Sequence, residues 1–131
     1  MKRIYTYLIF AFGLCLLGCE EKPLYPENAH LYQVWTHAYE EQETNATSLI
    51  FRPSDSQTFA PSRYRETMAF NADGTCEFLV LHPADAHYTE QGTFTYDAET
   101  RELVISTPDD QVYSRFTLLE VDRDRLLLER K

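Results

Sequence analysis

The chain is poor in the features that many function classes need. Cysteine is scarce: Cys15 and Cys19 fall in the first 19 residues and Cys76 stands alone in the rest, so that remainder can form no internal disulfide. A lone thiol in an oxidising compartment is safest buried, and Cys76 is expected to be a small core residue. Basic residues are also few. Twelve Lys and Arg face 21 Asp and Glu, for a net charge of −9. Such an acidic surface repels phosphate backbones and anionic headgroups, which excludes nucleic acid as a partner. There is no Gly-rich phosphate loop and no nucleophile elbow, and the paired acids Asp109 and Asp110 lie where a turn is expected. His30, His37, His82 and His87 match no zinc-ligand spacing. No catalytic residue, metal site or cofactor is therefore expected, and the chain is not read as an enzyme. A convincing 3.6-residue period of helical length is missing too.

What is present begins at the N-terminus. Met1-Lys2-Arg3 is a short positive segment, and no charge occurs from Ile4 to Leu17. That stretch is short of the roughly 20 residues a membrane span needs, but it suits the apolar region of a signal peptide. It ends Leu16-Leu17-Gly18-Cys19, which resembles the lipobox of bacterial lipoproteins. The resemblance implies that residues 1–18 are removed and that Cys19 carries a diacylglyceryl thioether. The mature protein would then be held at a membrane by lipid alone, since two or more acyl chains anchor stably. The acidic start Glu20-Glu21 resembles the export signals of surface lipoproteins in some diderm bacteria. The expected location is the cell envelope, at the outer membrane, with the periplasmic and surface faces both open. Without residues 1–18, 113 residues remain and the loss of Lys2 and Arg3 takes the charge to −11. That length makes one domain.

Residues 19–29, with Pro23 and Pro26 among polar neighbours, read as a flexible tether, and residues 30–131 as the domain. Strands are expected near 31–40 and 48–51. The clearest unit is a hairpin: Met68 and Phe70 share a face, Asn71-Ala72-Asp73-Gly74 turns the chain, and Cys76, Phe78 and Val80 share a face of the return arm. Gly92, Phe94 and Tyr96 line one side of the next strand, and Leu103 and Ile105 one side of its partner. The last hairpin joins 112–121 to 126–130. In its first arm Phe116 and Leu118 point one way and Leu119 and Val121 the other, so a β-bulge near Leu118 would bring them together. The expected fold is all-β: an antiparallel up-and-down meander of about eight strands in a closed or nearly closed barrel, which leaves no exposed edge.

The run 68–76, the segment Gly92-Thr-Phe-Thr-Tyr-Asp97, the pair Leu103 and Ile105, and the closing Leu126 and Leu128 resemble the small bacterial lipocalin-like lipoproteins. Gln33-Val34-Trp35 stands where those proteins have Gly two residues before Trp. The resemblance implies a lipocalin-like barrel with a mouth that takes a small apolar molecule. The residues expected to line it are Trp35, Tyr39, Phe59, Met68, Phe78, Phe94 and Tyr96, because large aromatic and sulfur-bearing side chains at alternate positions face inward. Phe59 lies in the longest irregular stretch, 52–63, and could cap such a mouth. The competing expectation is a filled barrel that docks onto an envelope complex or an extracellular protein through an exposed apolar patch near Phe59, Leu79 and Leu81.

Overall fold

A computed structural model describes residues 22–131 apart from 83 and 85. The expected signal segment 1–18 and Cys19, the expected site of lipid attachment, lie outside the described residues, as does Asp85 of the His82–His87 stretch.

Eight strands form one closed antiparallel barrel: β1 Val34–His37, β2 Ser48–Pro53, β3 Thr67–Phe70, β4 Thr75–Val80, β5 Tyr88–Asp97, β6 Glu102–Ser106, β7 Val112–Val121 and β8 Leu126–Arg130. The expected all-β closed barrel is thus what the chain adopts. From β3 to β8 each strand pairs with the next in sequence. One connection departs from plain up-and-down order. β1 lies between β2 and β3, and β2 closes the barrel against β8, so residues 54–66 cross over the outside of β1.

That crossover explains two buried positions on the outward side. Thr36 is covered, its Oγ1 lying 2.7 Å from Ser54 Oγ. Arg65 is buried under the crossover: it donates to the carbonyls of His37 and Ala60, pairs with Glu40, and lies between the rings of Tyr39 and Phe59 at 4.3 and 5.2 Å. The Arg65 guanidinium holds the Glu40 carboxyl down at about 2.

Local chemistry sets the turns. Gly74 sits at φ 89°, where a glycine avoids the Cβ penalty, and Asp73 accepts from the Thr75 amide at 2.9 Å. Asp97 and Asp122 cap the next two turns at the same end by accepting backbone amides. The bulge expected near Leu118 is there: Leu118 faces Leu128 and Glu120 faces Leu127, which leaves Leu119 as the extra residue.

Inward side chains fill the barrel with one contiguous cluster that includes Trp35, Phe51, Phe70, Phe78, Phe94 and Phe116, none more than 3% exposed. Cys76 belongs to it, and burial pushes its thiol up to about 11, away from nucleophilic use. The end holding the 71–74, 98–101 and 122–125 turns is closed by the N-terminal segment. A 3-10 turn at Pro26–Leu31 puts Leu31 under Trp35, whose indole Nε1 donates to the Leu31 carbonyl at 3.0 Å. The Leu24 amide donates to Ala72, and Tyr25 packs on Phe94 and Tyr96. The stretch expected to be a tether is therefore docked on the barrel from Leu24 onward.

Candidate binding mouth

The opposite end is built differently. It collects the 38–47 connection, the start of β3, the 81–87 connection, the 107–111 turn and the C-terminus of β8. Residues facing each other across a ladder share a side of the sheet. Glu90 faces Phe78, and Arg130 faces Phe116, so both point inward above the packed core. Glu66, two residues before the inward Met68, points the same way and pairs with Arg130 at 3.0 Å. The Arg130 guanidinium also lies 5.1 Å from the Phe116 ring. The lumen thus changes from apolar to charged in its last layer.

A second bulge shapes this layer. Ile105 faces Ser114 and Ser106 faces Val112, which leaves Tyr113 as the extra residue of β7. Bulges re-aim side chains. Here the Tyr113 ring stacks on Phe78 at 4.4 Å across the lumen, and its hydroxyl donates to the Leu79 carbonyl at 3.2 Å. Burial raises the Tyr113 phenol, and the nearby Glu66 carboxylate raises it further while Arg130 works against both. Tyr113 is a lid on the packed core as much as a lining of the mouth.

The rim is aromatic and exposed. Tyr39, Tyr64, Leu81, Tyr88, Val112 and Tyr113 are six of the eight exposed large apolar residues among those described, and all belong to this end. Tyr64 meets the His87 ring edge-on at 5.6 Å, and neither ring nitrogen of His87 has a hydrogen-bond partner among the described residues.

The seven residues expected to line a ligand cavity fall into three places. Trp35, Met68, Phe78 and Phe94 are core, buried against one another. Tyr96 packs with Tyr25 at the closed end. Tyr39 and Phe59 flank Arg65, so Phe59 braces the crossover. Of the patch residues, Leu81 is exposed on the rim and Leu79 is half-buried on β4. Sequence reasoning missed Glu66, Glu90, Tyr113 and Arg130. A signal existed for one: Glu90 sits two residues before Gly92 on the inward side of β5, where a carboxylate breaks an otherwise apolar face.

A groove of about 380 Å³ runs along the outward side chains of Thr75, Gln91 and Thr93 and reaches Pro108 in the 107–111 turn. Among the described residues no group of three or more His, Cys, Asp or Glu is placed to hold a metal ion, and no helix is long and apolar enough to cross a membrane. The fold and the mouth define the class, a small closed β-barrel with a packed lumen and one polar, aromatic-rimmed end. No family model, curated protein or solved structure matches the chain.

Proposed function

We propose that this chain is a lipid-anchored protein of the bacterial envelope, held at the outer membrane through Cys19, whose barrel is a non-enzymatic docking module. The supporting observation is the polarity of the molecule. The N-terminal segment that would lead to the anchor enters at the closed end, by Ala72 and Phe94. The exposed aromatic rim is at the other end. Tyr side chains offer large contact area and a hydroxyl at low entropic cost, and they are enriched where proteins meet. A rim facing away from the membrane suits an envelope complex or an extracellular protein.

The lipocalin-like resemblance supports a second reading, a small apolar ligand. The stacked Phe78 and Tyr113 rings offer an aromatic surface in the mouth, and such a ligand would sit above them. The lower lumen, occupied by Trp35, Phe51 and Phe116, leaves that ligand no deeper seat.

Both parts of the docking proposal are testable in producing cells. A photo-crosslinking residue at position 88 should give discrete adducts that the same residue at Glu99, at the closed end, does not. The parent should incorporate labelled fatty acid and Cys19→Ala should not. Equal crosslinking from 88 and 99, or label that persists in Cys19→Ala, would contradict the proposal.

A further inference from the structure

The charges of the mouth are unbalanced in a way that selects a partner. Near this end Arg52 pairs with Glu41, Arg65 with Glu40 and Arg130 with Glu66. Glu90 joins none of these pairs. Its carboxylate faces inward, half-buried, opposite Phe78, and has no cationic partner among the described residues. Asp109 and Asp110, in the turn beside Val112, likewise have none. Tyr88 stands two residues from Glu90 on the same side of β5, and Tyr113 lies close enough to feel the Glu90 charge.

A carboxylate among tyrosine rings is chemistry for a cation. The carboxylate supplies charge, and the ring faces supply a second attraction that strengthens as water leaves. An anionic group would meet the Glu90 carboxylate at a repulsive cost, since Arg130, the cation of this layer, is already paired with Glu66. The rim around this point is apolar, so the complementary surface must be apolar as well as basic. Resting on the docking reading above, we propose that the mouth receives a lysine or arginine side chain presented by an apolar segment of a partner protein, with Glu90 as its counter-ion and Tyr88 and Tyr113 as its walls.

The test uses the lipidated full chain in detergent micelles and two labelled amphipathic peptides of equal apolar content, one carrying four lysines and one four glutamates. The lysine peptide should bind and the glutamate peptide should not. Glu90→Gln should weaken lysine-peptide binding about tenfold, the loss of one charge-assisted contact. Glu99→Gln, which removes the same net charge at the closed end, should leave it within twofold. Tyr88→Ala should weaken it as well. If both peptides bind alike and Glu90→Gln changes nothing while Tyr88→Ala still weakens them, the cation pocket is wrong and the docking rim stands. An equal loss in Glu90→Gln and Glu99→Gln would reduce the effect to net charge and overturn the pocket. If neither peptide binds, the pocket is refuted; the crosslinking contrast between positions 88 and 99 then decides the docking reading separately.

Discussion

Alanine at position 92 should destabilise the barrel by about 3 kcal/mol, at the upper end of overpacking costs. A Cβ there would lie 2.0 Å from the Ser106 carbonyl oxygen and 3.0 Å from Phe78 Cε1. The first clash is with backbone, so rotamer changes cannot relieve it. β5 and β6 would have to separate where Thr93 pairs with Ser106, next to the bulge that aims Tyr113 into the mouth. Thermal melting of Gly92→Ala should fall by roughly 4 °C per kcal/mol for a domain this size. A second variant separates backbone from side-chain causes. Adding Phe78→Leu shortens the ring but leaves Ser106 in place, so it should not rescue the melting temperature. Full rescue would mean that the ring, and not the strand, sets the limit.

Trp35→Ala should cost about 4 kcal/mol, in the range for emptying a large aromatic site in a core. Trp35 is fully buried, and its Nε1 ties the 3-10 turn at Pro26–Leu31 to the barrel. Its loss both opens a cavity and frees the closed end. Trp35→Phe keeps most of the volume and loses the hydrogen bond, so its deficit should be much smaller, about 1–2 kcal/mol. Chemical denaturation followed by circular dichroism reads all three proteins, since Trp35 is the single tryptophan and fluorescence reports only the parent. A Trp35→Ala protein within 1 kcal/mol of the parent would mean that the lumen is looser than its packing implies.

Much of this barrel is legible in the sequence because period-two patterning is a local property. Cys76 and Phe78 bracket the polar Glu77, Met68 and Phe70 bracket the small Ala69, and Leu103 and Ile105 bracket Val104, and each two-residue spacing puts its pair inward in the fold. The Leu118 bulge was readable for the same reason: the apolar phase slips by one residue at that point. The Tyr113 bulge left no such mark. Val112, Tyr113 and Ser114 carry no apolar phase to break, and the residue that turns inward is chosen by the Phe78 ring across the lumen. The crossover of 54–66 is also non-local. Its anchor is Arg65, whose partners Glu40 and His37 are 25 and 28 residues away in the chain. A buried arginine held by carbonyls and two rings looks, in sequence, like any surface arginine.

The candidate site was the least legible part. Aromatic residues at alternate positions are read as ligand-lining or core with equal ease, and most of them proved to be core. The mouth depends on where strands end relative to one another, which strand stagger sets and no single segment reveals. Glu66 and Arg130 are 64 residues apart and meet only after β8 closes against β2.

The measurement that bears most directly on the packed lumen and the docking end is native mass spectrometry of the full lipidated chain, released gently from micelles after exposure to fatty acids, phospholipid and haem. A lumen filled by Trp35, Phe51, Phe78 and Phe116 predicts the bare mass of the lipidated polypeptide at every ligand concentration. A stoichiometric added mass that disappears on denaturation and survives Tyr113→Ala would contradict it, because the ligand would then sit not on the Phe78–Tyr113 stack but in an interior seat the barrel had opened.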